Sequence, residues 1–311
     1  MSTRPLSVDP LWPRSGDWPS MDDVYADERI DLALLGIPTW RTSLSASGAG
    51  ATPAAVRAAL RYYAAFLSPD RSAPGLPPRL LGDLGFADAG DVIEPDGPEG
   101  EGRAIAAMAD AVSRASVTVA VGGDNALTVP AALGSWGDDL ATAGLVTLDA
   151  HHDLRDGVSN GSPVRRLIEA GIDGRRVVQV GIADFANSPA YAARAEDYGI
   201  TVIHRDELHR RPIDDVMAEA LDIAGSAGGP VHVDLDVDVC DRSVAPGCPA
   251  SVPGGIAAWE LRRAARVAGS WESVRSVDIA EVDATADAPD GRTVRLAALL
   301  VLEVAAGLGS R

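Results

Sequence analysis

The chain has 311 residues, of which 46% are hydrophobic and 23% charged, enough to form a sizeable buried core. Its formal net charge of −18 argues against nucleic acids and anionic membranes as partners, because both are polyanions that bind clustered cations. The two cysteines are too few for a disulfide framework, MSTRPLSVDPLWPRSGDWP lacks the apolar segment of a signal peptide, and no run approaches the ~20 apolar residues of a membrane span, so we expect a cytoplasmic protein.

Short apolar runs rich in β-branched residues alternate with alanine-rich segments of helical spacing from residue 31 onward. The predicted strands cover residues 31–37, 117–123, 145–150, 177–182, 200–204, 231–237 and 274–280. The helical segments include TPAAVRAALRYYAAFL, GRAIAAMADAVSRA, IDDVMAEALDIAG and AAWELRRAARVAG. Apolar strands without polar alternation, separated by helices, are typical of a parallel sheet covered on both faces. The sequence therefore predicts a three-layer α/β/α fold with a mostly parallel central sheet.

The alternation of strands and helices has no break, which indicates one domain. We interpret residues 1–30 as an N-terminal arm and residues 31–311 as that single domain. The Pro- and Gly-rich stretch 68–102 is predicted to be a long surface loop, with room for a short strand at DLGFADAGDV.

Polar residues collect where four of the predicted strands end. Parallel α/β sheets bind ligands outside the carboxyl ends of their strands, so these positions are the candidate site. The residues there are Asp124, Asn125, Asp149, His151, His152, Asp153, Asp234, Asp236, Asp238 and Glu281.

Alternate residues of an extended chain share one side, about 6.8 Å apart. This spacing predicts two rows of facing side chains, which consist of Asp149, His151 and Asp153, and of Asp236 and Asp238. Such acids would repel one another and lose solvation unless cations lay between them. Two divalent cations would meet that need, and oxygen-rich ligands with one imidazole suit Mn²⁺, although other metals also fit. A lone DxD is more often a cap or a loop charge, but the two strings together favour a metal site.

The other histidines have simpler interpretations. His152 alternates to the side opposite His151, and we expect it to be a packed residue. We interpret His204, His209 and His232 as structural or surface residues.

Several motifs in the right order resemble the ureohydrolase superfamily of arginase, agmatinase, guanidino-acid hydrolases and formiminoglutamase. LLGIPTWRTSLSASGAGATPAAVRAALR resembles its opening strand, loop and first helix, VGGDNALTVP its GGDH segment, and LDAHHD its DAHxD. DLDVDVCDRSVAPGCPASVPGG resembles SxDxDxxDPxxAPGxGxPxxGG, and DIAEVDATAD resembles DxxExNP. The resemblance covers most of the chain after residue 30. DAHHDLR, SNGSPVRRLIEAG and DIAEVDATADAPDGRTVRLAA favour the formiminoglutamase branch.

The resemblance implies an arginase-like catalytic domain that hydrolyses a linear C–N bond of an amidine or guanidine. It implies a pair of Mn²⁺ ions held by Asp149, His151, Asp153, Asp236 and Asp238, with Asp149 and Asp236 bridging. Activated hydroxide would attack the C=N carbon, and Asp153 would relay a proton to the leaving amine. Glu281 would hold the cationic amidine, and Ser162, in the SNGSPV loop, would contact the substrate. The resemblance also implies a homo-oligomer, either a trimer or a hexamer.

Arg155 lies two residues beyond Asp153 and places a fixed cation over a site built of acids. It would repel a dication such as agmatine and would hold a substrate that carries carboxylates. N-formimino-L-glutamate, an intermediate of histidine degradation, is therefore the first choice of substrate, with agmatine or a guanidino acid as the alternative. A second interpretation is that Arg155 only neutralises surplus acids.

Asn125 stands where the family's GGDH motif has a metal-ligating histidine. An amide oxygen is a poorer donor to Mn²⁺ than imidazole, so the first metal site is expected to be weak. Arg242 also replaces a proline of the family pattern, and Asp234 a serine. Three interpretations stay open: two metals with one labile, one metal with a neutral amide substrate such as N-formylglutamate, or a non-catalytic paralogue that binds a ligand or partner. The five other ligand positions and Glu281 favour an active hydrolase.

Overall fold

A computed structural model describes residues 6–25, 28–67 and 79–311. Its strands are β1 (Ile30–Ile37), β2 (Phe66–Leu67), β3 (Arg79–Leu80), β4 (Phe86–Asp91), β5 (Ala115–Gly122), β6 (Gly144–Leu148), β7 (Val177–Ile182), β8 (Thr201–His204), β9 (Val231–Asp236) and β10 (Val274–Ala280). Its helices are α1 (Thr52–Leu60), α2 (Gly100–Arg114), α3 (Thr128–Trp136), α4 (Pro163–Ala170), α5 (Pro189–Tyr198), α6 (Arg205–Leu208), α7 (Ile213–Ala224), α8 (Ala258–Ser270) and α9 (Arg292–Leu308).

Eight strands form one sheet in the order β4-β1-β5-β10-β9-β6-β7-β8, and each pairing between them is parallel. β2 and β3 form a separate antiparallel pair. All residues of β1, β6, β7 and β9 are buried, as expected for strands covered on both faces. The predicted fold class is confirmed.

Helices cover both faces of the sheet. α1 and α8 pack against α9, and α7 packs against α8, while α2 and α4 pack against α3. Side chains of β5 divide between the two layers as a period of two requires, because Val119 and Val121 join one core cluster and Ala120 joins another. None of the helices in the described part of the chain is long and apolar enough to cross a membrane.

The seven predicted strands all occur in the structure, each within two residues of its predicted bounds, and DLGFADAGDV contains β4. The predicted loop 68–102 is partly wrong, since besides the short strand allowed for at DLGFADAGDV it contains β3 and the start of α2; its residues 68–78 lie outside the described part. Residues 1–5, 26 and 27 of the predicted arm also lie outside it. In the rest of the arm, Trp18 stacks on Phe86 with ring centroids 4.6 Å apart, and Met21 is buried. The division of the chain at residue 30 stays a prediction.

Candidate metal centre and active-site cleft

The carboxyl ends of four neighbouring strands meet at one edge of the sheet. β5, β10, β9 and β6 are adjacent and parallel, so the segments that follow them start close together. β10 pairs Ala280 with Asp236 of β9, which brings Glu281 next to the acids of the 236–238 segment. The topology therefore gathers residues that are far apart in the sequence.

Asp149, His151 and Asp238 form the tightest group of potential ligands. Each offers one ligand atom, and these atoms lie within 4.8 Å of one another. His151 Nδ1 lies 2.9 Å from Asp238 Oδ2 and 3.5 Å from Asp149 Oδ1. One imidazole nitrogen and two carboxylate oxygens that converge in this way fit a divalent cation, so this trio is a candidate metal centre.

Backbone amides orient the carboxylates of this centre. The His151 N–H donates to Asp149 Oδ1 at 2.7 Å, and the Ala150 N–H donates to Asp238 Oδ1 at 3.2 Å. The Asp238 N–H donates to Asp236 Oδ1 at 2.8 Å. Two of these bonds are local, and the bond from Ala150 to Asp238 joins segments that are 88 residues apart, so the carboxylates are held in place before any ligand binds.

The predicted rows of alternate side chains are wrong in their local geometry. β6 ends at Leu148, before the first ligand of its row, and β9 gives way at Val237 to a 3₁₀ turn that Asp236 caps. Asp153 has a φ of 52° and Glu281 a φ of 58°. Residues other than glycine rarely adopt this left-handed backbone conformation, which costs about 1–3 kcal/mol. Such backbone strain is often found at functional sites. The ligands therefore converge through tight turns and not through strand alternation.

Burial controls the protonation of the acids. It raises the pKa of Asp149 to about 6, and the negative charge of Asp238 adds to the rise. Burial and neighbouring acids also raise the pKa of Asp153 and of Asp236 well above the ordinary value. A cation among these groups would stabilise their charged forms.

His151 and Asp238 behave as an ion pair. Burial by itself lowers the pKa of His151, but the charges and hydrogen bonds of Asp238 and Asp149 outweigh it and raise the pKa to about 12. For Asp238, burial is outweighed by His151, and its pKa is lowered. In the metal-free chain, the His151 imidazolium thus supplies part of the positive charge that the acids require.

The Asn125 side chain lies between two site residues. Its Nδ2 donates to Asp153 Oδ2 at 2.7 Å, and its Oδ1 accepts from Thr128 Oγ1 at 2.5 Å. Its backbone N–H donates to Glu281 Oε1 at 2.9 Å. The amide oxygen, which would be the metal donor, thus already accepts one hydrogen bond from Thr128, and the amide nitrogen restrains Asp153.

A cleft of about 380 Å³ opens over these residues, large enough for a small ligand. His151, Asp153, Asp236 and Glu281 reach its floor. Burial raises the pKa of Glu281 to about 8, although a hydrogen bond from Asn160 opposes the rise. The cleft therefore places a buried carboxyl group beside the candidate metal centre, an arrangement suited to binding a cationic group.

The family model for the arginase family matches residues 30–307. This chain belongs to the arginase family. Formimidoylglutamase of Bacillus subtilis is 31% identical over 283 residues, which are 89% of this chain and 86% of that protein. The crystal structure of formimidoylglutamase from Bacillus subtilis subsp. subtilis str. 168 has a TM-score of 0.83 at 27% identity, covering 99% of this chain and 95% of that one. Trypanosoma cruzi formiminoglutamase, solved with Mn²⁺, shares the fold with a TM-score of 0.80 at 22% identity, covering 95% of this chain and 100% of that one.

Of the two loop residues of this arginase-family chain that were predicted to contact the substrate, Arg155 lines the cleft and Ser162 does not. Arg155 lines the cleft, with its guanidinium carbon 5.9 Å from the centroid of the Tyr191 ring. Ser162 does not line it: the side chain is fully buried, its Oγ donating to Ser159 O at 2.8 Å and accepting from Ser159 N–H at 2.9 Å. Ser162 therefore holds the shape of the loop.

Asn160 is the cleft residue that sequence reasoning missed. Its Nδ2 donates to Glu281 Oε1 at 2.7 Å, and its Oδ1 accepts from the Leu44 N–H at 3.0 Å. It joins two loops across the cleft and fixes one oxygen of Glu281. Its place two positions before Ser162 in SNGSPV was the available signal.

His152 is buried, and its Nδ1 lies 2.7 Å from Gln179 Oε1, which agrees with the packed role that its alternation predicts. Of the departures from the family motifs, Arg242 donates through Nη1 to Cys248 O and to Ser251 Oγ and so ties down the loop that follows β9. Asp234 is buried beside Asp278 of β10, and burial together with Asp278 raises its pKa well above the ordinary value.

Proposed function

We propose that this arginase-family protein is a manganese-dependent hydrolase of N-formimino-L-glutamate. The observation that carries the proposal is one cleft that reaches the candidate metal centre at His151 and is lined by the buried carboxyl group of Glu281 and by Arg155, an arginine without a carboxylate partner among the described residues. The metal centre would activate water, the carboxyl group would bind an amidinium group, and the arginine would bind a carboxylate of the substrate. The similarity to formimidoylglutamase over most of the chain supports this substrate.

The donor set fits manganese. Asp149, His151 and Asp238 would hold one ion, and Asp153 and Asp236 would complete a pair, with Asn125 as a weak donor to the first site. Carboxylate oxygens with a single imidazole match the preference of Mn²⁺. Manganese bound there would activate water for attack on the amidine carbon.

Glu281 would bind the cationic amidine. Its Oε1 accepts from the Asn125 N–H and from Asn160 Nδ2, and its Oε2 has no hydrogen-bond donor among the described residues. An amidinium group would give Oε2 a charge-assisted donor, which is stronger than a neutral one. The two existing donors hold the carboxylate in the orientation required.

Arg155 would bind a carboxylate of the substrate. Its aliphatic stem lies over Gly161, where an added Cβ would come within 2.7 Å of Arg155 Cδ, so any larger residue at 161 would displace the arginine from this position. The Tyr191 ring supports the guanidinium from the side. A fixed cation at this place favours a glutamate derivative over agmatine, since agmatine would bring a second cation.

Asp153 would move the proton. In the reaction, one water adds to the amidine carbon, a C–O bond forms, the C–N bond to glutamate breaks, and the leaving amine gains a proton. The products are L-glutamate and formamide. Asn125 Nδ2 holds one oxygen of Asp153, which would orient this carboxylate to pass a proton to the leaving nitrogen.

The proposal also includes a homo-oligomer, a trimer or a hexamer, for which family membership is the support, and a location in the cytoplasm. Light scattering coupled to gel filtration tests the assembly. A mass of one chain would contradict it.

The function is tested by glutamate release from N-formimino-L-glutamate, with N-formyl-L-glutamate and agmatine as parallel substrates. Release from the formimino compound that EDTA abolishes is the expected result. Glu281→Gln should lower kcat/KM by at least about 100-fold, while Glu196→Gln, an exposed change on α5, should leave it unchanged. Release from the formyl compound alone would point to amide hydrolysis, release from agmatine alone to a diamine substrate, and release from none to a non-catalytic paralogue.

A further inference from the structure

A second cavity lies beside the active-site cleft. It has a volume of about 460 Å³ and lies between the loop that follows β7, the start of α6 and the turn at residues 252–254. Phe185 lines both this cavity and the cleft. The other residues that line the second cavity include Ala183, Asp184, Arg205, Asp206 and Val252.

Arg205 is a buried cation in the wall of this cavity. Only 8% of the residue is exposed, and its guanidinium makes one hydrogen bond, from Nη2 to Val239 O at 3.2 Å. Its Nε is buried without a hydrogen-bond partner, and within the described ranges the group forms no salt bridge. Burial lowers its pKa even though the more distant charges of Asp238 and Asp149 oppose that effect.

A guanidinium group in this state is costly to bury. Its Nε is buried without an acceptor, and a single carbonyl at Nη2 does not replace the five hydrogen bonds that the group can form. A carboxylate that enters the cavity would provide both the missing acceptors and the missing charge, and carboxylates match the guanidinium geometry. The cavity therefore has a specific place for an anionic group.

Asp184 and Asp206 restrict which anion can bind. Both are exposed residues of the cavity wall, and neither forms a salt bridge within the described ranges. Two carboxylates at the rim would repel a simple anion, but they would attract a ligand that carries a positive charge close to its carboxylate. An α-amino acid has this arrangement, since its ammonium and carboxylate are attached to one carbon.

We propose that this cavity binds a free α-amino acid, with the carboxylate on Arg205 and the ammonium on Asp184 or Asp206. The volume leaves room for a side chain of several atoms. The proposal does not depend on the reaction proposed above, because none of these three residues lines the catalytic cleft.

Calorimetric titration of the manganese-loaded protein tests the site, with L-glutamate and glycine as ligands and glutarate as the probe that lacks an ammonium group. Both amino acids should bind and glutarate should not. Arg205→Met should weaken binding by at least about tenfold through loss of a charge-assisted contact, whereas Arg210→Met, at an exposed position five residues later, should have no effect. The double variant Asp184→Asn, Asp206→Asn should bind the amino acids more weakly and glutarate more tightly than the unchanged protein does.

Two further variants test whether the amino acid binds in this cavity or in the catalytic cleft, and whether a loss of binding reflects misfolding. Arg155→Met removes the cleft arginine and should leave glycine binding intact. Val252→Trp fills the cavity while Arg205 stays in place and should abolish binding. Binding that is lost in Arg155→Met but kept in Arg205→Met would place the amino acid in the cleft and overturn the proposal. Absence of binding up to about 10 mM, or glutarate binding as tight as that of glutamate, would also overturn it.

Discussion

Asn125 offers a metal ion an amide oxygen, where the histidine of the family motif offers an imidazole nitrogen. Its amide joins Thr128 to Asp153, so the position now restrains an acid. We expect Asn125→His to raise the Mn²⁺ affinity of the first site by about tenfold or more, because imidazole is the better donor. The measurement is manganese content after dialysis against limiting metal.

Asn125→Ala is the matched control, since it removes the same two side-chain bonds and adds no ligand. It should not raise manganese content. Equal metal content in the wild type and in Asn125→His would show that residue 125 lies outside the metal site.

Arg155 and Arg194 both approach the Tyr191 ring, at 5.9 and 5.8 Å from its centroid, but their surroundings differ. Arg194 pairs with Asp156 at 2.8 Å, whereas Arg155 lines the cleft. We expect Arg155→Met to raise KM for N-formimino-L-glutamate about 10- to 100-fold with a smaller change in kcat, as loss of a charged hydrogen bond to the substrate tail predicts.

Arg194→Met provides the comparison in the same assay and should change KM much less than Arg155→Met does, because its exposed ion pair with Asp156 contributes little and its other hydrogen bond, from Nη1 to Leu154 O at 2.6 Å, reaches only the backbone. A similar rise in KM for both variants would mean that the arginines act through Tyr191 packing. If Arg155→Met does not raise KM, Arg155 does not bind the substrate and only neutralises surplus acids near the cleft.

At the scale of elements, seven strands of the large sheet could be predicted because each is a short run rich in apolar and β-branched residues. α3 could not, since eight of its nine residues are buried and no polar face marks a helical period. The candidate metal ligands were recognisable from their order along the chain, but the turns that bring them together were not. Asn160 was missed because its contact with Glu281 spans 121 residues and depends on the path of a loop.

α8 and α9 pack together around a buried acid, Glu303. It accepts from Arg262 Nη2 and from Arg266 Nε, both at 2.6 Å. We expect Glu303→Ala to lower stability by about 1–2 kcal/mol, less than for a fully buried pair because both arginines are more than a third exposed. The measurement is the thermal midpoint of the manganese-loaded protein, which should fall by about 2–5 °C.

Asp290→Ala breaks an ion pair with Arg292 in which both side chains are at least half exposed, and should shift the midpoint by less than about 1 °C. An equal shift for the two variants would mean that Glu303 adds no more to the α8–α9 contact than a surface charge does.

At the scale of the whole molecule, this acidic chain buries several acids in and around its candidate metal centre. Burial raises the pKa of Asp149 to about 6 and of Glu281 to about 8, and it raises the pKa of Asp153 and of Asp236 well above normal. In each case the folded state binds a proton that the unfolded chain releases near pH 4. These groups therefore contribute stability that is fully present below about pH 4 and is lost as pH rises through their folded-state pKa values.

The metal-free protein should accordingly have a lower thermal midpoint at about pH 8.5 than at about pH 5.5. Mn²⁺ requires deprotonated ligands, so the rise in midpoint on adding it should be larger at the higher pH. General repulsion within a chain of net charge −18 acts in the same direction, and Glu281→Gln separates the two effects. This variant should flatten the metal-free profile between about pH 6.5 and 8.5, because glutamine does not titrate, while the surface charge is unchanged. A metal-free midpoint that climbs with pH, or a manganese increment that is equal at both values, would mean that these acids are not jointly buried and do not bind the metal.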